Sequence, residues 1–100
     1  MKHVWGIWQG DLLLVRGKIS GAAVGMTRKI VATGELTGHK HVLTGDGILL
    51  EDGKRLFVQA NAATTMTHDE HPAVSIPAGD YLVRRQREYI PKARPVAVRD

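Results

Sequence analysis

Turn-forming residues punctuate this 100-residue chain so closely that only short strands fit between them. The signals are Gly10-Asp11, Gly45-Asp46-Gly47, Asp52-Gly53 and Pro77-Ala78-Gly79-Asp80. Between them apolar residues alternate with polar ones or run briefly, and no amphipathic helix longer than about two turns is evident. Short strands with turn signals roughly every 8–12 residues predict an all-β fold. The expectation is a small single-domain β-barrel or β-sandwich spanning residues 1–100. A hydrophobic content of 43% supports a modest core, and surface-to-volume scaling keeps it small, so that association into a homo-oligomer would add stability.

Along the chain, Gln9-Gly10-Asp11 reads as a turn, followed by a buried strand over residues 12–16. Residues 18–27 are rich in Gly, Ala and Ser and read as a loop. Residues 28–36 read as a strand, interrupted by Gly34 and Gly38, where a bulge or a close backbone approach is expected. The strand continues or restarts over residues 39–44. Asp52-Gly53 lies between apolar runs at 48–51 and 54–58, which predicts a two-residue type I′ hairpin. In that register Glu51 faces Lys54, Leu49 faces Leu56 and Ile48 faces Phe57. Residues 60–67 are small and polar, and fit a strand or a loop. Residues 73–76 alternate as a strand. The last long strand runs from Tyr81 to Tyr89, and since neither face is cleanly apolar it is expected at an edge or a subunit interface.

Chemistry is suggested by four of the five histidines, which come as two tight pairs: His39 with His41, and His68 with His71. Residues two apart on a strand share a face, so Glu35, Thr37, His39 and His41 would project together. His68 and His71 precede Pro72 in a segment better suited to a loop or a single turn, where both rings could converge. Thr67 and Glu70 fit a capping box that would support such a turn. With no cysteine in the chain, any metal would have only nitrogen and oxygen ligands. His39, His41, His68 and His71 together suit zinc, nickel, manganese or iron. Glu70 or Glu35 would be the base if the metal activates water, and Asp69 or Glu70 could orient a ring. The competing reading is that these histidines are polar loop residues fixing Gly-rich turns.

The net charge is +4, and the excess is local. Residues 81–99 hold Arg84, Arg85, Arg87, Lys92, Arg94 and Arg99 against the single acid Glu88. Such a stripe can contact phosphates, although a solvated strand and tail would look the same. Trp5 and Trp8 could stack on bases, but packing is the commoner role for such residues. There is no Walker loop, GxGxxG or GxSxG. Residues 1–6 lack a signal-peptide core, and the longest apolar run, residues 12–15, is too short to span a bilayer. The expectation is a cytoplasmic chain without membrane association.

Two resemblances follow from these motifs. His39-Lys40-His41, followed by Asp46, is similar to the first cupin motif, which has Glu where Asp46 stands. Pro77-Ala78-Gly79 resembles part of the second, but Leu82 replaces its metal-binding histidine. A broader set comprises Gln9-Gly10-Asp11-Leu12-Leu13, Gly34-Glu35-Leu36-Thr37-Gly38-His39-Lys40-His41, His68-Asp69-Glu70-His71-Pro72, Pro77-Ala78-Gly79-Asp80-Tyr81 and Gln86-Arg87-Glu88-Tyr89. In this order it resembles a family of small, uncharacterised bacterial and phage-associated proteins. That resemblance implies no activity, but it implies that the two histidine segments belong to one design.

Three functions fit the residues. The first is a divalent-metal-binding β-domain using the four histidines, with metal-assisted hydrolysis as the generic reaction. The second is a basic nucleic-acid-binding module using Arg84, Arg85, Arg87 and Lys92. The third is a structural protein that forms homo-oligomers without catalysis.

Overall fold

The computed structural model describes residues 6–33 and 38–85. Among them every regular element is a strand: β1 (Gly6–Gln9), β2 (Leu12–Arg16), β3 (Val24–Met26), β4 (Ile30–Thr33), β5 (Lys40–Gly45), β6 (Ile48–Glu51), β7 (Leu56–Ala60), β8 (Thr64–His68), β9 (Val74–Ile76) and β10 (Gly79–Arg85). They form two antiparallel sheets, one of six strands in the order β1-β2-β10-β7-β6-β3 and one of four in the order β4-β5-β8-β9. The expected all-β fold is therefore present, as two sheets rather than one closed barrel.

Alternation explains which side chains meet in the core. Leu12, Leu14, Leu49, Val58, Ala60 and Tyr81 come from the larger sheet, and Val31, Leu43, Met66 and Ile76 from the smaller. All are almost fully buried. Each buried Leu, Met or Ile contributes about 1.5–3 kcal/mol relative to an exposed one. On the smaller sheet Leu43 pairs with Met66, and one step along the same face His41 pairs with His68. A period of two therefore carries the core face directly into the histidines.

Several local expectations change. Residues 18–27 are not all loop, because Val24–Met26 pairs with β6 at the sheet edge. Among the described residues a β4–β5 irregularity falls between Ile30 and Ala32, and Gly34 lies outside them. The β6–β7 hairpin has Glu51 opposite Leu56 and Leu49 opposite Val58, a register two residues away from that of a type I′ turn. The cause is the Asp52 side chain, whose Oδ1 accepts the backbone N–H groups of Lys54 at 3.0 Å and Arg55 at 2.8 Å. That Asx turn spreads the connection over four residues. A slip of two leaves every side chain on its original face, so the hydrophobic pattern does not oppose it.

The last strand is a second correction. β10 lies inside the larger sheet, between β2 and β7, with Val83 opposite Leu14 and Tyr81 opposite Val58. Tyr81 anchors it, and its hydroxyl donates to the Pro77 carbonyl at 2.6 Å. Arg84 and Arg85 stand at the end of the strand, where they do not interrupt the core, and residues 86–89 of the expected strand lie outside the described residues.

Two glycines are required by geometry. Gly10 has φ 62 and opens the two-residue β1–β2 hairpin, in which Gln9 pairs with Leu12. A left-handed glycine followed by Asp11, which lacks positive φ, has the character of a type II′ turn. Gly45 has φ 82, and a Cβ there would collide with the Ala63 carbonyl. The chain at this point crosses the β8 backbone too closely for any side chain.

Candidate metal centre

The β1–β2 turn is tucked inward. Asp11, at its tip, is only 1% exposed, and Gln9, just before it, 3%. Gln9 Nε2 donates to the Met66 carbonyl at 3.0 Å and to the Pro72 carbonyl at 3.0 Å. These two bonds fix the amide, so that Oε1 faces His41 Nδ1 at 2.9 Å. An amide oxygen only accepts, so His41 Nδ1 carries the proton and Nε2 of the neutral ring presents a lone pair.

That lone pair points at Asp11. His41 Nε2 lies 3.4 Å from Asp11 Oδ1, and both side chains are shut off from solvent. Neither atom has a hydrogen-bond partner, and Asp11 Oδ2 has none either. Arg85 Nη2 approaches Oδ2 to 3.5 Å while donating to the Thr33 carbonyl at 2.8 Å. Burial pushes the His41 pKa below its ordinary 6.5, the neighbouring His68 adds to the effect, and Asp11 opposes it. The resulting arrangement is a neutral imidazole lone pair facing a carboxylate oxygen.

The other histidines gather around this pair. The His68 ring centroid is 4.4 Å from that of His41, 4.6 Å from that of His71 and 5.6 Å from that of His39. All four predicted histidines therefore come together. The cap expected from Thr67 is supplied instead by His68, whose Nδ1 accepts the backbone N–H groups of Glu70 at 2.9 Å and His71 at 3.1 Å. With Nδ1 accepting, the proton of a neutral His68 ring is on Nε2. His71 Nε2 is buried without a hydrogen-bond partner. His39 Nδ1 stands 3.7 Å from Glu70 Oε1 at the rim, where Glu70 is mostly exposed. Asp69 accepts the Lys40 backbone N–H at 3.2 Å, joining the two histidine segments.

A family model, the domain of unknown function DUF8820, matches residues 8–86. The chain belongs to the DUF8820 family. The matched range of this DUF8820 chain contains Gln9, Asp11, all four clustered histidines and Arg85. No match is found among curated proteins, and none among solved structures.

Among the described residues of the DUF8820 domain, no group of three or more His, Asp or Glu side chains is arranged to hold a metal ion as it stands. Asp11 and Gln9 were missed by sequence reasoning because the segment carries the ordinary signature of a solvent-facing turn. The signal that could have found them is their place in the wider motif set, where Gln9-Gly10-Asp11 heads the two histidine segments. Glu35, Arg87 and Lys92 lie outside the described residues. Of the basic stripe, Arg84 and Arg85 are described, and Arg85 is engaged within the fold. Trp8 is 52% exposed on β1, at the edge of its sheet. No helix of the described residues is long and apolar enough to cross a membrane.

Proposed function

We propose that the DUF8820 domain binds a divalent metal ion through Asp11 and His41, completed by His71. The observation that carries this reading is the buried pair of orphaned donors, His41 Nε2 and Asp11 Oδ1, 3.4 Å apart. Two acceptors facing each other in a low-dielectric interior repel, and the buried Asp11 carboxylate, although 3.5 Å from Arg85, has no hydrogen-bond donor on either oxygen. A cation between them removes both penalties. With zinc–nitrogen and zinc–oxygen bonds of about 2.0–2.1 Å at a tetrahedral angle, two ligands of one ion stand about 3.3 Å apart. The observed separation fits that spacing and is long for a direct charged hydrogen bond.

The tautomers support this division of roles. Gln9 holds the Nδ1 proton of His41, the usual outer partner of a ligating histidine. His71, whose Nε2 is buried without a hydrogen-bond partner, would be the third ligand in this reading. His68, with Nδ1 taken by two backbone donors, is a proton donor beside the ion rather than a ligand. His39 and Glu70 form the rim, where Glu70 is the described carboxylate available to take a proton from metal-bound water. Imidazole and carboxylate ligands suit zinc, nickel, manganese or iron.

The test is metal analysis of untagged protein purified without chelator or metal-affinity resin, followed by titration with each of the four metals. Uptake of about one ion per chain is expected, weakened at least about 10-fold in His71→Ala. His71 lies outside the apolar core, so that variant keeps its fold, which circular dichroism would check. No uptake of any of the four ions by the intact protein would overturn the reading.

A further inference from the structure

A pocket of about 530 Å³ opens where the ends of β4 and β10 meet the β6–β7 turn. Four cations line it: Lys54, Arg55, Arg84 and Arg85. Among the described residues no carboxylate lines it. The rest of its described lining is apolar, with Val31 and Leu56 among those side chains. Asp52 stands 3.6 Å from Arg55 and Asp11 3.5 Å from Arg85, so part of this charge is balanced within the fold, and the net positive field at the concavity still favours an anion. The volume is that of a small-molecule site, in which a few polar groups orient a ligand held mainly by apolar contact.

Two features indicate a built site rather than a chance run of basic residues. Arg85 is anchored at Nη2 by the Thr33 carbonyl, yet its Nε is buried without an acceptor. A buried guanidinium N–H without an acceptor carries a desolvation cost that an incoming anionic oxygen would remove. Lys54 and Arg55 are presented by a turn that the Asp52 side chain holds through their backbone N–H groups. The Arg55 guanidinium lies over the Phe57 ring, 5.5 Å from its centroid, which further restricts it. The cations therefore stand on an organised frame before any ligand arrives.

We infer that this pocket binds a small anion whose phosphate, sulfate or carboxylate group is carried on an apolar body. The charged group meets the arginines and Lys54, and the body lies against the Val31 and Leu56 wall. The inference does not rest on metal binding, although Arg85 also faces Asp11 and so joins the two places.

The test is amide-resolved NMR titration of the full chain in the presence of chelator, with phenyl phosphate, benzoate, inorganic phosphate and phenol as separate probes. Phenyl phosphate or benzoate should shift the amides of Ala32, Leu56 and Val83 saturably, and should bind more tightly than either inorganic phosphate or phenol. The preferred one of the two identifies the headgroup. Lys54 and Arg55 are exposed, so Lys54→Ala with Arg55→Ala leaves the fold intact and should weaken binding by roughly 3- to 20-fold at low salt. Phenol binding as tightly as phenyl phosphate, full affinity in the double variant, or no saturable shift would each overturn the inference. So would binding of a short single-stranded oligonucleotide in the absence of any response to the small anions. Chelator removes the metal from every arm, so failure here is distinguishable from failure of metal binding.

Discussion

At the scale of the residue, Asp11 and His41 set the chemistry of the domain, and their state depends on pH. The folded His41 pKa lies below the ordinary 6.5, with burial as the main cause. The unfolded chain therefore takes up a proton at a higher pH than the folded one does. Stability is fully present above about 6.5 and is lost as pH falls from there toward the folded pKa. In chelated protein, urea denaturation should show stability falling through the mildly acidic range, and the slope should shrink in His41→Gln. A flat profile in the intact protein would mean that His41 is not held neutral. The histidines were legible in the sequence because a period of two is visible without any tertiary knowledge. Asp11 was not, since a Gly-Asp turn gives no sign of pointing inward. Only the packing of β1 against the smaller sheet, through Gln9, reveals that it does.

At the scale of the element, alternation and turn residues located the strands but not always their partners. The β6–β7 register moved by two because the Asp52 carboxylate offered backbone donors a better arrangement than a two-residue turn would. Nothing in the strand pattern opposed the shift. β10 was expected at an edge or a subunit interface because neither of its faces is cleanly apolar, yet its first half carries Tyr81 inside the sheet, between β2 and β7. Gly45, which ends β5, shows how tightly these elements meet. A non-glycine residue at its φ of 82 costs about 1–3 kcal/mol from strain alone, and the collision with the Ala63 carbonyl adds to it. Gly45→Ala should therefore destabilise the domain by at least about 2 kcal/mol in chemical denaturation. A change within the error of that measurement would mean that the β5–β8 crossing is looser than described.

At the scale of the whole molecule, the two sheets are joined by apolar contact, by the Arg85–Thr33 hydrogen bond and by a buried polar tie at Gln9. Gln9 reaches from β1 in the larger sheet to the Met66 and Pro72 carbonyls on the smaller one, and it holds His41 as it does so. Gln9→Ala should cost about 2–4 kcal/mol, because three buried or half-buried groups lose their partner. Gln9→Glu should not rescue it, since a carboxylate would turn an acceptor toward two carbonyl oxygens. Calorimetric melting of the three proteins side by side would decide this, and a Glu variant as stable as the parent would remove the polar tie from the account. The all-β class was foreseeable from composition and punctuation. The tie was not, because it joins positions 57 and 63 residues apart.

Loops are usually the most replaceable parts of a β protein, free to lengthen, shorten or change sequence while the strands stay fixed. The Gly10-Asp11 turn reverses that order. With Asp11 buried against His41, the first hairpin has a fixed length, since an inserted residue would displace that carboxylate. The Asp52–Arg55 connection, standing outside, can grow without disturbing the interior. Variation within such a fold would accumulate at the far hairpin, while the near one keeps its length.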